Sequence, residues 1–312
     1  MELDLKGRSL LTWLDYSSEE IRYLLELSKK VKKEKKKIHQ RFIGKTIALI
    51  FEKRSTRTRC AFETAIGEEG GHAVFLSTDD IQLGAKETVK DTACVLGRMF
   101  DAIEFRGFKQ SVLYDLVNYS GVPVYNGLTD SYHPTQVLAD VMTIEENFGH
   151  STGKHLCFIG DGRNNVAYSL MVISAKLGIN FTIITPPELK PDKDLFEKCG
   201  SLSQSNSAEC LVTSDINAVK GADAVYTDVW VSMGEEAVKV EREKLLLPYQ
   251  VNKNLMEKTG NKNCIFLHCL PAIREEEVSA EIIDGPNSRV WDEAENRKHT
   301  IKAIMLATLG LV

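Results

Sequence analysis

The chain is 312 residues long, 43% hydrophobic and 27% charged, a balance that excludes disordered, collagen-like and low-complexity classes. Its 39 Lys and Arg against 44 Asp and Glu leave a net charge of −5, which disfavours a globally basic nucleic-acid binder. No apolar run reaches the roughly 18 residues of a membrane span. The opening MELDLKGRSLL lacks the layout of a secretory signal or a transit peptide, so a cytoplasmic protein with no membrane partner is expected. The cysteines, at 60, 94, 157, 199, 210, 264 and 269, include no C-x-x-C pair and no Cys/His group with zinc spacing. Reduced thiols and no bound metal are expected.

At about 150 residues per domain the length predicts two domains. A capping box, Ser17-x-x-Glu20, opens the first helix, with Ile21, Leu24, Leu25 and Val31 at helical spacing. It runs into Lys29–Lys37, which holds seven lysines. With no interleaved aromatics this reads as a solvated helix end, its cations near the negative pole, rather than a nucleic-acid patch. Strands are expected at Thr46–Glu52, Ala73–Leu76, Ala102–Phe105 and Val122–Tyr125, with helices at Arg57–Ile66, Thr88–Arg98 and Ser111–Tyr119 between them. A long helix, Thr135–Phe148, ends at a break spanning Gly149 to Gly153. The alternation restarts with strands at His155–Ile159, Phe181–Ile184, Glu209–Val212, Ala224–Thr227 and Cys264–His268, and closes on a helix at Glu295–Leu309. Strands alternating with helices predict an α/β protein with two doubly wound parallel-sheet domains joined by helices. Ligands in such folds sit at the carboxyl ends of strands, and an active site in the interdomain cleft is expected.

The residues after each strand carry the chemistry. Ser55-Thr56-Arg57-Thr58-Arg59 places hydroxyls and guanidinium groups on a strand-to-helix turn, where free backbone N–H groups and the helix dipole favour an anion. Arg106 ends another strand, and His133-Pro134-Thr135-Gln136 opens a helix after the next. In the second half, Gly160-Asp161-Gly162-Arg163-Asn164-Asn165 lacks the third glycine of a dinucleotide fingerprint, and the next strand ends in Thr185-Pro186-Pro187 with no ribose-binding acid. An NAD-dependent oxidoreductase is therefore disfavoured. Asp228 ends a strand, where it can dock an ammonium or serve as a helix N-cap. Cys269, after the last strand, can be a nucleophile, a metal ligand or a small lining group. Arg297 is expected in the first turn of the last helix, against the dipole, which marks it as ligand-facing.

Together these motifs resemble the aspartate/ornithine carbamoyltransferase family over essentially the whole chain. Ser55 to Arg59 is similar to the family's carbamoyl-phosphate signature, and His133 to Gln136 to its second signature. Asp228-x-x-x-Ser232-Met233-Gly234 and His268-Cys269-Leu270-Pro271 are similar to the signatures of the ornithine branch. The resemblance implies a carbamoyl-phosphate-binding domain over 1–148, completed by the C-terminal helix 293–312, and an ornithine-binding domain over 149–292. It implies transfer of the carbamoyl group from carbamoyl phosphate to the δ-amine of L-ornithine. The products are L-citrulline and phosphate, in arginine biosynthesis or, reversed, in arginine catabolism. It also implies a homotrimer with shared active sites, in which Gln82 reaches a neighbour's site.

On that resemblance Ser55, Thr56, Arg57 and Thr58 hold the phosphate, and Arg106, His133, Gln136, Cys269, Leu270 and Arg297 surround the carbamoyl group. Thr58, Arg106 and His133 meet the tetrahedral oxyanion, and no cofactor or covalent intermediate is required. Asn165, Asp228, Ser232 and Met233 fix the amino acid's α-groups. Cys269 positions and desolvates the δ-amine, which must lose its proton before it attacks. An aspartate-using relative is disfavoured by Ala272 after Pro271 and by the acidic Asp228. A putrescine-using relative is the remaining alternative, though its amine would leave Asp228, Ser232 and Met233 without an α-carboxylate to hold. An acetylornithine-type relative would alter the same loops.

Overall fold

The strands are apolar runs rather than alternating ones, as sheets covered on both faces require. The computed structural model describes residues 3–37, 39–77, 81, 87–231, 234 and 236–312. Gln82, Ser232 and Met233 lie outside the described residues. The chain divides into two units, Met1–Ala139 with Glu295–Val312, and Asp140–Ala294.

The first unit runs α1 (Ser18–Lys33), β1 (Thr46–Phe51), α2 (Thr56–Gly67), β2 (His72–Ser77), α3 (Val89–Met99), β3 (Ala102–Arg106), α4 (Gln110–Ser120) and β4 (Val124–Leu128). Its strands are all parallel, in the order β2-β1-β3-β4. One sheet face (Ala48, Ile50, Ile103, Phe105 and Val124) packs with Ala93 and Leu96 of α3 and Leu113 and Leu116 of α4. On the other, the register sets Leu49, Glu104 and Tyr125 side by side across β1, β3 and β4. Here Tyr125 stacks on Phe62 of α2 and bonds Thr308 Oγ1 at 2.7 Å.

Helix α5 (Pro134–Phe148) leads into the second unit, which runs β5 (His155–Ile159), α6 (Asn165–Leu177), β6 (Asn180–Ile184), α7 (Lys193–Ser205), β7 (Cys210–Thr213), β8 (Ala224–Tyr226), α8 (Lys239–Leu246), α9 (Lys253–Lys258), β9 (Ile265–Leu267) and α10 (Ala280–Ile283). Its parallel strands are ordered β7-β6-β5-β8-β9. The last helix, α11 (Val290–Leu309), closes the chain. In each sheet the strand order reverses once, between β1 and β3 in the first and between β5 and β8 in the second. Such switch points open a crevice at the strands' carboxyl ends. The four segments that leave those strands are the Ser55 turn, Arg106, the Gly160–Asn165 turn and Asp228.

Three expectations are corrected. The strand expected at Val122–Tyr125 starts at Val124 and runs to Leu128. Gly121 caps α4 in the left-handed region and Pro123 has no N–H to give a ladder, though its carbonyl accepts from Ile103. The last helix starts at Val290, not Glu295, with Asp292 and Glu293 in its first turn, where acids suit the positive pole. Arg297 is therefore well inside the helix, and the dipole argument that singled it out does not hold. The lysine run is only partly solvated. Lys30, Lys33, Lys35, Lys36 and Lys37 are exposed, but the half-buried Lys32 bonds Asn296 and Lys35 bonds Glu295, each at 2.7 Å. Lys35 and His299 hold the Glu295 carboxyl down at about 2.

Candidate functional site

The first constellation begins where β1 ends. Ser55 caps α2, its hydroxyl accepting from the Thr58 N–H at 3.2 Å. Thr56 and Arg57 occupy the first helical positions, where backbone N–H groups have no helical partner. Thr58 is buried, and two arginines converge on its hydroxyl, Arg106 Nη1 at 3.4 Å and Arg297 Nη2 at 3.2 Å. Arg297 also donates to Gln136 Oε1 at 2.7 Å and Thr135 Oγ1 at 3.3 Å. Both guanidinium groups are buried, at 7% and 2% exposure. Arg59, by contrast, is exposed, pairs with Glu63 at 2.9 Å and lies over the Phe75 ring.

His133 precedes α5 and is 4% exposed. Burial, with the charges of Arg297, Arg106 and Arg57, pushes its pKa well below the ordinary imidazole value. It is therefore neutral at pH 7 and presents one N–H and one lone pair. The turn that carries it is braced by Trp13, whose indole N–H donates to Pro134 O at 2.9 Å. The structure thus brings Thr58, Arg106, His133, Gln136 and Arg297 together beside the start of α2. Helix N–H groups, hydroxyls and guanidinium groups gathered in this way are chemistry that can hold an anion.

The second constellation lies at the switch point of the second sheet. Asn164 caps α6 through Oδ1, which accepts from Val166 N at 2.7 Å, and its Nδ2 donates to Asp228 Oδ2 at 2.9 Å. Asp228 Oδ1 accepts from Val229 N at 2.8 Å and from the Cys269 thiol at 3.1 Å. Asp228 caps no helix, so of its two readings the N-cap falls. Asn165, the expected ligand, stands half-buried at the first position of α6. Its neighbour Asn164 was missed, although an Asn before a helical pattern is a cap signal.

His268 fixes the turn after β9. Leu270 N–H donates to its Nδ1 at 2.8 Å, so the ring proton is on Nε2, which donates to Glu277 Oε1 at 3.2 Å. Glu277 also accepts from Ile273 N at 2.7 Å, and His268 N–H donates to Glu293 Oε2 at 3.0 Å. This bracing holds Leu270 at φ 58, a left-handed conformation rare for a branched side chain. It aims the half-buried Cys269 at Asp228. Glu277 was also missed, since a lone Glu ten residues past a strand gives no local signal. Ligand atoms of Asp228, His268 and Cys269 lie within 4.8 Å of one another, but both ring nitrogens of His268 are already engaged.

Two family models match the chain. One described as the aspartate/ornithine carbamoyltransferase carbamoyl-P binding domain covers residues 8–146, and one described as the Asp/Orn binding domain covers 152–308. The chain is 63% identical to an ornithine carbamoyltransferase of Caldanaerobacter subterraneus subsp. tengcongensis, over 99% of this chain and 100% of that protein. It is 61% identical to the enzyme of that name from Thermotoga maritima, over the same shares. The solved ornithine carbamoyltransferase of Pyrococcus furiosus superposes with a TM-score of 0.95 at 46% identity, covering 99% of each chain.

Proposed function

The chain belongs to the aspartate/ornithine carbamoyltransferase family, and on that premise we propose that it transfers the carbamoyl group of carbamoyl phosphate to the δ-amine of L-ornithine, giving L-citrulline and phosphate. The observation that carries the reading is the convergence of Arg106 and Arg297 on Thr58, at the N-terminus of α2.

Ser55, Thr56, Arg57 and Thr58 hold the phosphate, partly through helix N–H groups. Arg106, His133, Gln136 and Arg297 hold the carbamoyl end. When the amine attacks, charge develops on the carbonyl oxygen. Donors already aimed at that oxygen by burial and mutual hydrogen bonds need no rearrangement to stabilise it. His133 suits this role because it is neutral, so it donates one N–H without surrendering a proton. The leaving phosphate keeps its contacts to the α2 turn.

Asp228 takes the α-ammonium of ornithine, with Asn165, Ser232 and Met233 fixing the α-groups. Cys269 and Leu270 lie beside the reacting nitrogen and the carbamoyl group. The Cys269 thiol donates to Asp228, so it carries its proton and acts by positioning and desolvation, not as a covalent nucleophile. By the same reading the units are a carbamoyl-phosphate domain and an ornithine domain, and the protein is a cytoplasmic homotrimer in which Gln82 reaches a neighbouring subunit's site. It serves arginine biosynthesis or, in reverse, arginine catabolism.

Purified protein is mixed with carbamoyl phosphate and ornithine, putrescine, lysine or aspartate in turn, and ureido product and phosphate are measured. Product with ornithine alone supports the reading. Product with another amine alone overturns the assignment of Asp228, Ser232 and Met233, and no product with any amine overturns the reaction. Light scattering after size-exclusion chromatography tests the trimer.

A further inference from the structure

Two buried guanidinium groups that share one neutral hydroxyl repel each other, and such an arrangement needs a buried negative charge close by. Arg106 and Arg297 are in that position at Thr58. Glu104 is two residues before Arg106 on β3 and so on the same face of the sheet. It is fully buried, and neither carboxyl oxygen accepts a hydrogen bond from any described residue. The ladder between β3 and β4 slips next to it, with Phe105 opposite Asn126 and Arg106 opposite Leu128, so that Gly127 is passed over. A Cβ at Gly127 would lie 1.7 Å from Glu104 Oε1 and 3.2 Å from Thr58 Cγ2. The carboxyl therefore packs flat against a glycine at the level of Thr58, and the irregularity in β4 makes room for it.

We infer that Glu104 is the buried counter-charge of the Arg106–Arg297 pair, and that it takes up a proton from solvent when an anionic ligand occupies that pair. The inference rests on the reading of this cluster as the anion half-site. With the site empty, the carboxylate offsets the two cations once pH exceeds its pKa, which burial sets well above the ordinary carboxylate range. When a dianion arrives, the same carboxylate repels it, and protonation to the neutral acid removes the repulsion. The step moves one proton from solvent to one carboxylate oxygen and needs no other reactant. Glu104 is thus a positioning residue, acting on the ligand through the arginines.

The groups that face Glu104 allow this. Burial pushes its pKa well above the carboxylate range, against the pull of Arg106 on β3 and Arg297 on α11, which lower it. From β4 comes Tyr125, whose pKa burial raises, and which bonds Thr308. From β1 comes Leu49, and from α2 Thr58. His133, beside the same arginines and Arg57, also gains a proton more readily once a dianion is bound. Its contribution has to be subtracted.

The test is isothermal titration calorimetry of the full chain and of Glu104→Gln, in pairs of buffers with different ionisation enthalpies between pH 6 and pH 9. Sulfate is the probe, a dianion whose own charge is constant over that range. Wild type should take up more protons per sulfate than Glu104→Gln, with the difference approaching about one where the carboxylate is ionised in the free protein. The sign follows from the bound-state pKa being the higher one. Affinity is full below the free-state value and falls as pH rises above it, by up to about tenfold per pH unit. Glu104→Gln lacks that fall and binds sulfate more tightly than wild type at alkaline pH. In carbamoyl-phosphate kinetics the same difference appears in KM more than in kcat. Equal proton uptake in the two proteins overturns the inference. So does a wild-type protein that takes up no proton at any of these pH values, a result that does not depend on the variant folding. Neither measurement requires ornithine to be the second substrate, so failure of the reaction assay is a separate result.

Discussion

Replacing Arg297 by Lys isolates the guanidinium fork from its charge. The side chain is 2% exposed and donates to three acceptors at once, Gln136 Oε1 at 2.7 Å, Thr58 Oγ1 at 3.2 Å and Thr135 Oγ1 at 3.3 Å. A lysine ammonium is one point on a shorter stem, and it cannot span Gln136 on one side and two hydroxyls on the other. At least one of the three contacts is lost, and with it the aim of whatever donor faces the carbamoyl oxygen. Loss of one preorganised oxyanion donor costs on the order of 10²–10³ in rate, about 2.7–4 kcal/mol of transition-state stabilisation. The positive charge stays, so the attraction for phosphate stays, and KM for carbamoyl phosphate should move by less than about tenfold while kcat carries most of the loss. Steady-state citrulline formation with each substrate varied in turn separates the two. Circular dichroism and a urea midpoint confirm that the variant is folded. A folded Arg297→Lys protein within about fivefold of wild type in kcat would refute the argument, because the fork geometry would then not be used in the transition state.

Four further outcomes follow from the same geometry. His133 is held neutral by burial and three arginines, so its proton affinity is lower folded than unfolded. Its stabilising contribution is full above the unfolded pKa of about 6.5 and is lost as pH falls below it. Wild type should lose about 1.4 kcal/mol per pH unit more than His133→Asn in urea unfolding at pH 6.5 and below, and parallel curves would contradict this. Glu277→Leu leaves the buried His268 Nε2–H without its acceptor and removes the partner of the part-buried Ile273 N–H. It should cost about 2 kcal/mol or more of stability and weaken turnover through the freed Leu270 turn; a urea midpoint equal to wild type would count against it. Gly127→Ala drives a methyl into Glu104 and should cost about 1–3 kcal/mol. Adding Glu104→Ala should recover part of that, as a double-mutant cycle would read. Cys269→Ala should slow the reaction without abolishing it, and mass spectrometry of wild type quenched in turnover should find no carbamoyl adduct on the thiol.

Much of this was legible in the sequence where the signal was local. Buried parallel strands are apolar without alternation, so TIALIF and HLCFI announced β1 and β5 almost to the residue. The Ser17–Glu20 capping box fixed the start of α1, because both partners lie within one turn. Hydroxyls and arginines that follow strands stood out as candidates, since a doubly wound sheet opens at its carboxyl ends. Proline moved β4, and acids in a first turn moved α11, because both rules act over a few residues that the apolar pattern does not weight. What was not legible depends on pairing across distance. Asn164 rather than Asn165 meets Asp228, and only the direction of the cap decides between adjacent asparagines. Glu277 supports His268 across a turn that has no regular spacing.

Arg297 shows how a residue singled out on one ground can be set apart by another. It was singled out as a cation in the first turn of the last helix, but that helix begins at Val290, and the dipole has no grip so far from its end. What sets Arg297 apart is burial. A guanidinium at 2% exposure, in the middle of a helix, pays its desolvation only if several oriented acceptors meet it. Those acceptors are Thr58 on α2 and Thr135 and Gln136 on α5, up to 239 residues away in sequence. No window along the chain contains them. The fold brings the starts of α2 and α5 to one arginine, and the return of the chain's last segment to the first unit delivers it. A residue whose neighbours are set by topology is found from sequence only through a motif already known. Without one, the test is whether a charged residue lies on the buried side of a helix, and an amphipathic pattern interrupted by an arginine on its apolar face is the signal to look for.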